Sequence, residues 1–254
     1  MKMTSYEKEC LYNMEEKIKQ GNVYAMEEWA TFYSMNHPDC VDDEMAKKII
    51  QYYERAIEVG SYRAMLNLGV IYYRGDIVER NYSKAIELYE MASESDDDSI
   101  ASIALSNLGY CHYYGRDIPV NYEVAYNYYL KGAIKYNNCD CYFKLGDMYR
   151  YGYYVTKDEE FAFDFYNLAY ENCYSDNESY PDILIRIGEC YLDGVCVQKD
   201  ANKALQFLTK AEGLMFEKVY VENDKLAVPV LEKLEKNIDR AKQVLISNSK
   251  LKEE

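Results

Sequence analysis

Proline is scarce in this sequence, 4 residues of 254 against 30 tyrosines. Proline lacks a backbone donor and breaks helix interiors, so its scarcity leaves long helical stretches open, with ample aromatic packing to bury them. Histidine is scarcer still: His37 and His112 are all the chain has, which leaves general-base or metal chemistry through imidazole few options. No run approaches the roughly 18 consecutive apolar residues of a membrane span, and the start, Met1-Lys2-Met3-Thr4-Ser5-Tyr6-Glu7, lacks the apolar core of a signal peptide. A cytoplasmic location without membrane contact is the expectation. Also missing is any Lys/Arg cluster able to reverse the net charge of -15 locally. Such a field repels phosphate backbones, so nucleic acid and anionic membrane surfaces are excluded as partners.

Catalytic signatures are absent too. The sequence holds no Gly-x-Ser-x-Gly, no phosphate-binding glycine loop and no dinucleotide fingerprint, so no catalytic residue and no cofactor is expected. Cysteine is not lacking, but Cys10, Cys40, Cys111, Cys139, Cys141, Cys173, Cys190 and Cys196 follow no period, and free, structural thiols are the expected state. Cys139-x-Cys141 with Cys173, Cys190 or Cys196 lacks the paired C-x-x-C spacing of structural zinc, so no metal is expected.

What the chain does have is a repeat. Ala64-Met65-Leu66-Asn67-Leu68-Gly69-Val70-Ile71-Tyr72-Tyr73-Arg74-Gly75 and the stretch from Ala104 to Gly115 follow one pattern, and Cys141 to Gly152 and Ile183 to Gly194 repeat it. Counting from Gly69, Gly109, Gly146 and Gly188 as origins, a second glycine falls six residues on in every copy, at Gly75, Gly115, Gly152 and Gly194. Twelve residues on stand Asn81, Asn121, Asp158 and Asp200, and sixteen on stand Ala85, Ala125, Ala162 and Ala204. A short side-chain acceptor opening an apolar stretch is helix N-cap chemistry, worth about 1 kcal/mol. With apolar residues three and four apart, each unit reads as helix A, a glycine turn and helix B. Glycine inside helix A costs about 1 kcal/mol relative to alanine. Its use predicts a close approach of helix B, with Ala85 and Ala92 packed against Gly69 and Tyr72 beside them.

The same ruler laid upstream places Ala30 at the origin, Tyr33 at the tyrosine position, Asp42 at the cap and Ala46 at the alanine. This degenerate first copy has Asn36 in place of the second glycine and about three extra residues before Tyr53. The resulting organisation is a capping helix at 5–20, a degenerate repeat at 21–60, repeats at 61–99, 100–137, 138–178 and 179–213, a capping helix region at 214–246 and a tail at 247–254. In the last helix Ala227, Leu231, Leu234, Ile238, Ala241 and Leu245 form a narrow apolar seam. It caps the array or, as a weaker reading, pairs two chains; a monomer is the expectation.

The order Ala-x-x-x-Leu-Gly-x-x-Tyr-x-x-Gly, aliphatic, Asn/Asp, Ala, then Tyr-x-x-Ala resembles the Sel-1-like repeat, a relative of the tetratricopeptide repeat. His112 in the tyrosine slot, Gly132 in the slot of Ala92 and Leu208 in that of Tyr89 depart from it without breaking it. The resemblance implies an all-α fold, a right-handed α/α solenoid of stacked helix hairpins, single-domain and non-catalytic. It further implies a groove lined by helix A that holds a peptide or helix of another protein.

Positions in register on helix A then become the candidate groove residues. In peptide-binding tetratricopeptide proteins similar registers supply Asn, Lys and Arg that grip a ligand. By that likeness Asn67 and Asn107 bond a partner backbone, Tyr73, Tyr110 and Tyr113 stack on it, and Lys144, Arg150 and Arg186 meet an acidic segment. The competing expectation is local: the Asn pair bonds neighbouring helices, and the cations pair with Asp147 and Glu189. Two other functions stay open, a hydrolase acting through paired carboxylates and a structural or decoy repeat protein with no groove ligand.

Overall fold

The computed structural model describes residues 4–195 and 197–250; Met1 to Met3, Cys196 and the end of the expected tail, 251–254, lie outside the described residues. Among the described residues there are twelve α-helices and no strand. By packing, the chain divides into two compact units, 1–128 and 129–254.

The first unit holds α1 (Ser5–Lys19), α2 (Val23–Thr31), α3 (Asp43–Glu58), α4 (Tyr62–Arg74), α5 (Tyr82–Ala92), α6 (Asp98–Tyr114) and the start of α7 (Tyr122–Tyr136). Helices adjacent in sequence pack on one another from α1 to α6, and α4 also meets α6, so each helix A touches the next across the intervening helix B. Trp29, Ile49, Tyr53, Ile71, Tyr89 and Leu108 form its core. The first repeat has no glycine to end its helix A. There the chain leaves α2 through a π-helical turn, Phe32–Asn36, and a short 3-10 turn, Pro38–Cys40. Its helix B takes up the extra residues by being longer, 16 residues in α3 against 11 in α5.

The second unit continues with α8 (Cys139–Tyr151), α9 (Glu159–Asn172), α10 (Tyr180–Asp193), α11 (Ala201–Tyr220) and α12 (Val228–Lys250). Again sequence neighbours pack in order, and α10 meets α12 as one helix A meets the next. Ala227, Leu231, Leu234, Ile238 and Ala241 are all buried in the core with Leu184, Leu208 and Ala211. The apolar seam is therefore occupied within the unit itself. Pro229 is the second residue of α12, where its missing N–H leaves no bond unmade, and the helix runs on to Lys250 through the start of the expected tail.

One turn geometry recurs in all four glycine-bearing repeats. Gly75, Gly115, Gly152 and Gly194 end helix A with φ of 68°, 65°, 72° and 69°, the left-handed conformation that lacks a Cβ penalty. The backbone N–H of the capping residue then returns to helix A: Asn81 to the Tyr72 carbonyl at 2.9 Å, Asn121 to His112 at 2.9 Å, Asp158 to Tyr149 at 3.0 Å and Asp200 to Tyr191 at 3.0 Å. The Asn or Asp side chain accepts from the first turn of helix B, as Asn81 does from the Lys84 N–H at 2.9 Å and Asp158 from the Phe161 N–H at 3.0 Å.

The helix A glycines serve close approach; the helix B alanine comes near through its carbonyl at Gly146 (Ala162, 3.1 Å from an added Cβ) and Gly188 (Ala204, 3.4 Å), but a larger residue comes nearer still. A Cβ on Gly69 would stand 2.7 Å from Cε1 of Tyr89, on Gly146 2.5 Å from Cε1 of Tyr166, and on Gly188 2.7 Å from Cδ2 of Leu208. The large residue in the middle of helix B packs directly against the glycine. Ala85 and Ala92 are buried beside it, and Tyr72 is only half-buried. A ring that fills the notch gains more contact area than two methyl groups would, which is why the bulk sits there.

Candidate partner-binding site

Helix A in the first unit carries Asn67, Tyr73, Asn107, Tyr110 and Tyr113. Asn67 is half-buried on α4, and its Nδ2 donates to Thr31 Oγ1 of α2 at 3.3 Å. Thr31 also accepts from the Tyr53 hydroxyl at 3.1 Å, which is 3.0 Å from Ser34 Oγ as well. Asn107 is half-buried at the same register of α6.

The tyrosines of this unit gather around a cation that the register did not point to. The Arg116 guanidinium lies 5.9 Å from the ring of Tyr73, 5.4 Å from Tyr82 and 5.4 Å from Tyr114, a geometry in which the ring quadrupoles attract it. Tyr73 meets Tyr82 edge-on at 5.2 Å, and burial raises its hydroxyl pKa. Tyr110 stacks on Tyr114 at 6.0 Å with rings 5° apart. Tyr114 is 45% exposed, so this stack has an open face. Tyr113 is buried edge-on between Tyr114 and Tyr122, at 4.8 and 5.3 Å. It holds the cluster from beneath. Signals for the unforeseen members exist: Tyr114 lies five residues after its origin glycine, as Tyr151 does, and Tyr82 and Tyr122 lie thirteen after theirs.

Lys144, Arg150 and Arg186 belong to the second unit, where they converge on two buried carboxylates. Asp147 and Glu189 are each only 4% exposed. Arg186 Nε donates to Asp147 Oδ1 at 2.9 Å and its Nη1 lies 3.4 Å from Glu189 Oε2. Arg150 is 3.3 Å from Glu189 Oε2, and Lys144 is 3.8 Å from Asp147 Oδ2. The Tyr166 hydroxyl of α9 donates to Asp147 Oδ1 at 2.9 Å. From α12 come Lys233, 2.8 Å from Glu189 Oε1, and Asn237, 3.4 Å from the same atom. No repeat register could supply these two, because α12 lies outside the repeats.

The electrostatics follow from burial against pairing. Burial raises the Glu189 carboxyl, but Lys233, Arg186 and Arg150 outweigh it and hold it below the usual carboxylate range. Asp182, in the first turn of α10, goes the other way, its pKa raised by burial despite the opposing pull of Arg186, Lys218 and Lys144. His112, in the tyrosine slot, is lowered by burial and stacks 5.7 Å from Tyr128. Among the described residues no group of three or more His, Cys, Asp or Glu is placed to hold a metal ion, and no helix is long and apolar enough to cross a membrane.

One polar contact occurs at the same register in each unit. The residue two before an origin donates to the residue one after the preceding origin at two places, Asn67 to Thr31 in the first unit and Arg186 to Asp147 in the second. In α12, Lys233 and Asn237 take the donor's place on Glu189. In packing on α11 and α10, α12 thus stands where the helix A of a further repeat would stand.

Comparison with known proteins agrees with this geometry. The Sel1 repeat model matches residues 63–97, 102–136, 139–172 and 182–212, the four glycine-bearing hairpins and more than half of the chain. The chain is 33% identical over 90 residues to the ERAD-associated E3 ubiquitin-protein ligase component HRD3A of Arabidopsis thaliana, covering 35% of this chain and 13% of the relative. It is 28% identical over 145 residues to human protein sel-1 homolog 2, covering 56% of this chain and 20% of that one. The chain therefore spans only a small part of the curated relatives it matches. Among solved structures, a Sel1 repeat protein from Oxalobacter formigenes superposes with a TM-score of 0.61 at 21% identity, covering 88% of both chains. The Escherichia coli protective antigen c5321, described as displaying an SLR fold, gives 0.56 at 16% identity over 92% of this chain and 56% of its own. Stacked hairpins, glycine notches and matching repeats make this an α/α solenoid, and the chain belongs to the Sel1 repeat family.

Proposed function

We propose that the chain is a protein-interaction scaffold whose helix A face holds a peptide or helix of another protein. The observation that carries this reading is the aromatic cluster of the first unit, where Tyr110 and Tyr114 stack with an exposed face beside Arg116 and Tyr73. Tyrosine and arginine in such a cluster offer large contact area, at low entropic cost, with a charge that takes a carboxylate. Asn67 and Asn107 flank it to bond a partner's backbone, and in the second unit Lys144, Arg150 and Arg186 give an acidic segment a cationic neighbourhood. The naming of HRD3A as a component of a ligase assembly supports a role of this kind. A cytoplasmic setting accompanies the proposal.

Pull-downs with immobilised wild type and Tyr110→Ala/Arg116→Ala, both checked for helicity by circular dichroism, test it. Partner recovery should fall at least about tenfold, the loss of one hot-spot interaction. Unchanged recovery by a folded double variant would refute the aromatic cluster as the contact.

A second reading has its own observation. Asp147 and Glu189 already pair with Lys144, Arg150 and Arg186, so in the second unit the register serves hairpin packing and only the first unit binds. Arg150→Gln leaves partner recovery intact on this reading and lowers it on the first.

A further inference from the structure

Cys139 and Cys173 differ from the other described thiols in their placement. Cys139 opens α8 and Cys173 directly follows α9, so the two stand at the open end of one helix hairpin. The other end of that hairpin is already closed, by Gly152 and the Asp158 N–H to Tyr149 carbonyl bond. Both thiols are free, and their Sγ atoms are 2.9 Å apart, with Cys139 donating to Cys173. Cys139 is buried and Cys173 is half-exposed, which gives the pair one sulfur that an oxidant reaches and one shielded behind it. By contrast Cys111 and Cys190 are buried, and burial pushes their pKa up to about 12 and about 11.

We propose that Cys139 and Cys173 are a redox modification site: a reversible disulfide that clasps the open end of the α8–α9 hairpin when a disulfide oxidant such as glutathione disulfide is present. The Cys173 thiolate attacks one glutathione sulfur, forming a mixed disulfide and releasing the other glutathione, which takes up the proton. Cys139 then loses its proton and attacks the Cys173 sulfur, the second glutathione leaves as a thiol, and the Cys139–Cys173 bond is made. Two protein thiols are oxidised and one glutathione disulfide is reduced to two glutathiones. The hydrogen bond to Cys173 first, and burial second, hold the Cys139 thiol in its protonated form. This fits the order of events, with the half-exposed sulfur reacting first.

The clasp joins residues 139 and 173 across the hairpin, and a loop of this length restrains the unfolded chain strongly. It also fixes α8, which carries Lys144 and Asp147 of the ion cluster.

The test uses the full chain, equilibrated in excess reduced or excess oxidised glutathione, followed by thiol alkylation, peptide mapping and thermal unfolding. The expected result is a linked 139/173 peptide in the oxidised sample, both thiols alkylated in the reduced one, and a midpoint of unfolding raised by about 5 °C on oxidation. In Cys139→Ser and Cys173→Ser that rise should vanish. Thiols at both positions that remain alkylatable in excess glutathione disulfide, or a bridge that maps to other cysteines, would overturn the proposal. Mapping on the wild type decides this even if a serine variant fails to fold.

Discussion

Arg186 Nε and the Tyr166 hydroxyl both donate to one oxygen of Asp147, each at 2.9 Å. Three helices, α8, α9 and α10, are tied at that atom, two from one hairpin and one from the next. The bond from Arg186 crosses between repeats and the bond from Tyr166 closes its own.

Removing Asp147 should therefore be severe, because it takes a buried carboxylate away from both Arg186 and Lys144. Asp147→Ala is expected to lower stability in urea by about 3–5 kcal/mol, the usual effect of breaking a buried pair. Tyr166→Phe, which removes one hydroxyl and keeps the ring over Gly146, should lower it by only about 1 kcal/mol. In a double-mutant cycle Asp147→Ala and Arg186→Ala should couple by at least about 1 kcal/mol. Additive effects would show that the pair is not a unit.

Gly69→Ala isolates the packing notch. Alanine favours the helix by about 1 kcal/mol, yet its methyl would lie 2.7 Å from Cε1 of Tyr89. We expect overpacking to win, with a net loss of about 1–2 kcal/mol read from the shift in urea midpoint at constant slope. A stabilised variant would mean that the ring swings aside freely.

The turn glycines separate two effects in one comparison. At Gly152 the nearest neighbour of an added Cβ, Lys157 Cβ, is 3.4 Å away, whereas at Gly75 Arg80 Cβ would be at 2.6 Å. Gly152→Ala should thus lose only the left-handed backbone preference, about 1 kcal/mol, and Gly152→Asn less. Gly75→Ala adds a clash and should lose more. Equal losses would remove the clash from the account.

Acid and base act in opposite senses on the two perturbed carboxyls of α10. Asp182 has a folded pKa above its ordinary value, so the folded state binds its proton more readily and ionisation works against folding. Asp182→Asn should raise the unfolding midpoint near neutral pH, with the gain shrinking as pH falls into the ordinary carboxylate range. Glu189 has a lowered folded pKa; its contribution is present above the ordinary carboxylate range and is lost as pH falls through the folded value. Glu189→Gln should accordingly be destabilising near neutral pH and approach the wild type in acid. Midpoints of urea unfolding measured across the acid range check both signs.

Much of the fold was legible because its punctuation is chemical. A glycine that must take positive φ, and an Asn or Asp that must accept a backbone N–H, cannot be exchanged freely, so Gly75 with Asn81 and Gly152 with Asp158 mark their turns in plain letters. The notch over Gly69 was readable as a close approach, but its occupant was not, since register alone does not tell whether a ring or a methyl group reaches across. The same limit applies to the candidate site. Tyr73 and Tyr110 stood in register, while Arg116 sits in a turn whose path depends on tertiary contacts, and Lys233 and Asn237 come from a helix with no repeat to count from. That Lys144, Arg150 and Arg186 pair with Asp147 and Glu189 is the competing expectation read from the same registers, and the ion pairs agree with it; that two of them cross from α8 to α10 is set by packing, which spacing cannot express.

The main-chain bond from each capping residue back to helix A, as from Asn81 to the Tyr72 carbonyl, fixes where the turn ends, and side chains inside it add to the hold: Arg80 donates to the Arg74 carbonyl at 2.7 Å, and Ile77 and Val78 pack on the core. Segments such as 76–80 and 153–157 are thus anchored at their ends by main-chain atoms, as by the Gly75 N–H to Ile71 and the Tyr153 N–H to Met148 carbonyl bonds. The exposed positions within them, such as Asp76, Glu79 and Thr156, are where evolution, or a protein engineer, can rewrite the surface without disturbing the frame beneath.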